Sequence, residues 1–206
     1  LLNVTGMTVL NNFTAAFGAD AIAAMGIAYK LNMVPMYIAM GVSQGLMPLV
    51  SYNYGSGNSS RLKKAVFFAA KVSLSFMVVV STGYFFASGS LISMFMKTEA
   101  VIAYGSQFLR RMCVAQPFLC MDFLAVGVFQ ACGLGQYALV FAVLRKIVLE
   151  IPALYILNYF IPLYGLACAQ TVAEVVLAAA AVVILARLFR RMSVEGTPLQ
   201  HRTGKK

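Results

Sequence analysis

The chain has 206 residues, 61% of them hydrophobic and only 11% charged, with a mean hydropathy of +0.84. Soluble domains carry roughly 25% charged residues, so this composition excludes an ordinary soluble enzyme or binding module and describes an integral all-α membrane protein. The formal charge of +10 does not point to nucleic acid, because the basic residues sit between apolar runs rather than along an aromatic-interleaved stripe.

Residues 1–18 form an apolar run set with Asn3, Thr5, Thr8, Asn11, Asn12 and Thr14, which predicts a short first span. The chain opens on Leu1-Leu2 in mid-run, without a basic leader, and reads as a piece of a longer protein. Asn11 is a candidate cavity-lining residue, although polar side chains in membrane helices also bond to neighbouring helices. Gly18 marks a break, and Asp20 is the expected N-cap of a second span over 21–52, kinked at Pro35 and Pro48. Gln44 on that span is a second candidate cavity residue. Within it, Gly41-Val42-Ser43-Gln44-Gly45 fits the hydrolase elbow, but the lone histidine, His201, lies in the tail, so a Ser/His pair inside a bilayer is excluded. The same glycines spell G-x-x-x-G, which predicts a close helix contact. The chain is not expected to be an enzyme.

Residues 52–58 form a turn cluster, followed by Arg61, Lys63 and Lys64, which place this loop in the cytoplasm by the positive-inside tendency. Further spans are expected over 65–96, 101–133, 137–160 and 163–186, ending in a basic cytoplasmic tail over 187–206. Outside lie only Lys30, Lys97, Arg110 and Arg111. The lipid bilayer of the plasma or bacterial inner membrane is thus the first partner.

The run MCVAQPFLCMDFLAVGVFQACG, Met112 to Gly133, carries Asp122 near its centre. Such a run is long enough to cross roughly 30 Å of hydrocarbon. A central acid costs on the order of 2.5–3.5 kcal/mol there, so it requires a polar partner, a cation, a proton or a water-filled cavity. Pro117, five residues upstream, loosens the preceding turn and predicts a kink beside the acid. Gln116 and Gln130 flank it as candidate cavity residues. Glu174, equally deep in the last span, is a candidate proton site or the partner of an arginine on a facing helix, with a structural interhelical hydrogen bond equally open. Glu150 lies four residues after Lys146, a spacing that suits a local ion pair. Cys113, Cys120, Cys132 and Cys168 match no metal-binding spacing and read as small buried hydrophobes.

The run DAIAAMGIAYKLNMVPMYIAMGVSQGLMPLVSYNYGSGNSSRLKKA, from Asp20 to Ala65, resembles the second helix and following loop of a lobe in the multidrug and toxic compound extrusion (MATE) transporters. FLRRMCVAQPFLCMDFLAVGVFQACG is similar to that family's tenth helix, and LRKIVLEIPALYIL and YGLACAQTVAE to its last two. The resemblance covers nearly the whole chain. It implies a six-helix bundle, one lobe of a 12-helix transporter whose other partner is an N-terminal lobe not represented here. It also implies export of small amphipathic or cationic drugs by alternating access, coupled to Na⁺ or H⁺, with the coupling ion at Asp122 and no other cofactor. The tyrosine that some members place four residues before this acid is Phe118 here. A coupling acid in the other lobe leaves open a purely structural role for Asp122. A flippase of lipid-linked precursors and a non-transporting membrane module are the alternative readings.

Overall fold

The computed structural model describes Thr14, residues 17–160 and residues 164–194, and every described element is helical. Most of the first expected span, with Asn11, and the end of the tail, with His201, lie outside the described residues.

Helix α1 runs from Ala19 to Gly55. It begins behind Gly18, whose φ of 99° stops any helix arriving from upstream. Asp20 is therefore not the cap expected of it. It occupies the first turn, where a carboxylate opposes the positive end of the helix dipole. The helix continues through Pro35 and Pro48 as one element. Its end, in the expected turn cluster, is a Schellman closure: Asn58 N–H donates to the Asn53 carbonyl at 2.9 Å across Gly57, at φ 73°. Asn58 then caps α2, Ser59–Ser93, by accepting the Arg61 N–H at 3.1 Å.

Helices α3, Glu99–Cys113, and α4, Gln116–Ala131, form a pair bent by 46° across Val114 and Ala115. Pro117 explains the break. It has no N–H to return to Cys113, and its ring crowds that carbonyl. The freed Cys113 oxygen instead accepts the hydroxyl of Ser81 from α2. The expected kink beside Asp122 is thus a full interruption, stabilised from a neighbouring helix.

Residues 135–160 are continuously helical but change pitch. Helix α5, Gly135–Val143, passes into a π-helical turn, Leu144–Glu150, and then into α6, Ile151–Phe160. Pro152 lies two residues beyond the π turn and donates no N–H back into it. Helix α7, Tyr164–Val194, outruns the span expected to end at Ala186. Leu185, Leu188, Phe189 and Met192 continue its packed apolar stripe, so the start of the basic tail is helix.

By length and composition, α1, α2 and Cys168–Arg190 within α7 are each able to cross a membrane, and the bent α3–α4 pair makes a fourth crossing if taken as one. Two apolar clusters hold the bundle at opposite ends. One joins Ala21, Ala24, Met25 and Ala28 of α1 to Ile92, Phe108, Leu109 and Leu154. The other joins Val50, Leu62 and Val66 to Leu124, Phe129, Leu177 and Leu185. Between them lie buried polar side chains from three helices: Asn32 and Ser43 of α1, Gln116 and Asp122 of α4, and Glu174 of α7. The fold has a polar waist.

Candidate functional site

Asp122 stands on α4, two turns past the break, and is 0% exposed. Its Oδ2 is in direct contact with Nη2 of Arg145, which the π turn delivers into the waist with only 16% of its side chain exposed. The Arg145 Nε lies 3.6 Å from Oε1 of Glu174, itself 2% exposed on α7. The guanidinium carbon also sits 4.7 Å from the centre of the Phe123 ring, within cation–π range. One cation is therefore placed among two carboxylates and an aromatic face. Burial of ions in low dielectric is tolerable only when they are paired, and Asp122 Oδ1 accepts no hydrogen bond among the described residues.

A second polar group lies at the break. Gln116, 1% exposed, donates through Nε2 to Oδ1 of Asn32, and Asn32 donates through Nδ2 to Oε1 of Gln170 at 3.4 Å. Thr171 Oγ1 donates to the Arg111 carbonyl at 3.2 Å, tying α7 to the end of α3. Gln170 and Glu174 are one turn apart on α7, so both groups share that helix face. Ser43 completes the waist by donating to the Phe123 carbonyl at 2.7 Å.

The sequence-derived candidates separate accordingly. Asp122 and Glu174 come together, joined by Arg145, which is the facing-helix arginine expected for Glu174. Asp122 is closed inside the bundle by that guanidinium rather than turned to an open hollow. Gln116 is bonded to Asn32 and does not line an open cavity. Gln44 and Gln130 are exposed and bond to none of these groups among the described residues. The G-x-x-x-G expectation is corrected: a Cβ at Gly41 or Gly45 would meet open space, whereas one at Gly127 would collide with Ser43 Oγ. The close approach of α1 to α4 is made by Ser43 against Gly127. Glu150 is buried, while the side chain of Lys146, its expected partner, lies outside the described set. No cluster of three potential metal ligands occurs among the described residues.

Sequence reasoning passes over Asn32, Phe123 and Gln170. It places Arg145 in the apolar 137–160 run and expects an arginine opposite Glu174, and the structure identifies the two as one residue and adds Asp122 as its second partner.

The family model MatE matches residues 1–156. The chain belongs to the MatE family. Among MatE relatives, the multidrug export protein MepA of Staphylococcus saprophyticus is 31% identical over 199 residues, covering 97% of this chain and 44% of that protein. MepA of Staphylococcus aureus is 33% identical over 202 residues, with the same coverages. The chain thus spans a little under half the length of these relatives. In fold it is similar to the Vibrio cholerae MATE transporter VcmN in its bent form, with a TM-score of 0.86 at 19% identity over 94% of this chain and 44% of that one. It is also similar to the MATE transporter ClbM in complex with Rb⁺, with a TM-score of 0.83 at 23% identity over 92% of this chain and 45% of that one. This MatE chain is a membrane protein with the all-α fold of one transporter lobe.

Proposed function

We propose that this chain supplies the C-terminal lobe of a multidrug efflux antiporter in the cell membrane, exporting amphipathic and cationic compounds while Na⁺ or H⁺ enters. The observation that carries the reading is the buried Asp122 carboxylate, held beside a helix break by the Arg145 guanidinium and, among the described residues, with one oxygen accepting no hydrogen bond. Naming of the MepA relatives as multidrug export proteins supports the substrate class, and the Rb⁺ complex of ClbM supports a monovalent ion.

The chemistry follows from differential affinity. An ion or proton taken up by Asp122 weakens its attraction for Arg145 and so changes which of two arrangements of α4 and the π turn is favoured. Coupling exists only because the ion binds the two arrangements unequally. The break at Val114–Ala115 is where α3 and α4 pivot. A pyrophosphate-lipid flippase is less well supported, since Arg145 is engaged by acids and offers a pyrophosphate no free charge.

The test is Asp122→Asn in cells expressing the gene's full reading frame. Efflux of a cationic dye driven by a Na⁺ or H⁺ gradient is expected to fall to background while the protein's membrane level is retained. Undiminished gradient-driven efflux in that variant would remove the proposal.

A further inference from the structure

Arg145 occupies the position that a coupling ion needs, and the structure also supplies somewhere for it to go. Its guanidinium touches Asp122 on one side, has Glu174 at 3.6 Å on another, and lies 4.7 Å from the Phe123 ring centre. A buried guanidinium cannot simply leave, because desolvating it unpaired is prohibitive. It can slide along a surface that stays attractive throughout, and the ring of Phe123 together with the Glu174 carboxylate is such a surface. The π turn adds freedom at the other end of the side chain. Changing one of its i→i+5 turns to i→i+4 rotates the preceding residues by on the order of 100°, one residue's worth of helix.

We propose that Arg145 is a tethered cation: it fills Asp122 when no coupling ion is present and moves over Phe123 toward Glu174 when one binds. The ion's affinity is then set by the guanidinium it displaces. This rests on the coupling role proposed for Asp122 and adds the competitor at that same site.

Among the described side chains, the other charged groups on the surrounding elements lie elsewhere, Arg110 of α3 donating to Ser88 of α2. Asp20 and Lys30 on α1 and Lys71 on α2 are exposed. Arg111 on α3 is half-buried, with its carbonyl held by Thr171, and Glu150 is buried at the far end of the π turn. Cys120 on α4 and Cys132 just past its end pack in apolar clusters.

The experiment measures binding of radioactive sodium, and in parallel proton release reported by a pH-indicator dye. It uses purified protein from the full reading frame as wild type, R145A, F123L and D122N. R145A is expected to bind Na⁺ at least about tenfold more tightly than wild type, because a cation adjacent to the carboxylate no longer opposes a second one. Free guanidinium chloride should then compete for Na⁺, or expel the proton, in R145A and not in wild type. That competition identifies the vacated place chemically, which a merely structural role for Arg145 would not produce.

F123L keeps the apolar volume and removes the ring face. It is expected to bind Na⁺ or the proton about threefold to tenfold more weakly, because the ring attracts the guanidinium more strongly once Asp122 no longer neutralises it than in the paired arrangement, and it decides the question if R145A does not fold. If wild type takes up an ion that D122N does not, yet R145A binds no tighter and free guanidinium does not compete, the tethered-cation inference is overturned while the coupling proposal stands. Likewise, unchanged ion binding in F123L overturns it. If wild type shows neither Na⁺ binding nor proton release dependent on Asp122, both fall together.

Discussion

At Ser43 and Gly127 two helices meet with no room for a methyl group. The Ser43 hydroxyl donates to the Phe123 carbonyl at 2.7 Å, and a Cβ at Gly127 would run into that same hydroxyl. The contact fixes the face of α4 on which Phe123 lies, beneath the Arg145 guanidinium. Gly127→Ala is expected to destabilise the fold by about 1–3 kcal/mol, the usual cost of overpacking a tight contact. Ser43→Ala alone should cost about 1 kcal/mol for the lost hydrogen bond. The double variant should be more stable than Gly127→Ala, because removing the hydroxyl makes the space that the new methyl needs. Thermal unfolding of the three variants checks this, and strictly additive costs would contradict the packing account.

The sequence carried part of this residue-scale picture. An acid at the centre of an apolar run demands a partner, which is why Asp122 and Glu174 were legible. The glycine pair Gly41 and Gly45 misdirected, because spacing within one helix does not say which face its neighbour covers. Asn32 was hidden for a similar reason. A single amide in a long helix is unremarkable until Gln116 and Gln170 arrive from elsewhere in the chain.

At the scale of elements, one proline stands at a helix break and another beside a change of helical pitch, and each departure from regular α-helix places a charged residue. Pro117 breaks α3 from α4 ahead of Asp122. Pro152 follows the π turn that carries Arg145. The first was legible, since proline chemistry acts on the four residues before it. The second was not, because an i→i+5 turn has no sequence signature separate from ordinary helix, and its one extra residue is noticed only when Arg145 points inward. Deleting Val148, an exposed residue inside the π turn, should restore ordinary pitch and rotate Arg145 away from Asp122. An unpaired buried charge costs about 3–5 kcal/mol, so the deletion should lower thermal stability strongly in the wild-type background. In an Asp122→Leu, Arg145→Met background, where no pair is left to separate, its cost should shrink to that of the backbone change alone. An equal cost in both backgrounds would mean that the π turn does not serve the ion pair.

Over the whole molecule, the two apolar clusters assign the charged residues to ends of the bundle. Leu62 and Val66 of α2 share a cluster with Leu185 and Met192 of α7. The loop before Arg61, Lys63 and Lys64 and the segment holding Arg187 and Arg190 therefore lie at one end. At the other, where Ala21, Ile92, Val101, Leu109 and Met112 pack together, Asp20 and Glu99 accompany Lys30, Lys97, Arg110 and Arg111. The first end carries basic residues without acidic ones among those named, and the second offsets part of its positive charge with carboxylates. Positive residues are retained in the cytoplasm during insertion, so the first end is expected to face inward. Substituting Asn58→Cys and Thr98→Cys singly, with Cys168→Ala removing the one partly exposed native thiol, separates the possibilities. In intact cells a membrane-impermeant maleimide should label position 98 and spare position 58, and both should react in opened cells. The reverse pattern would invert the protein in its membrane.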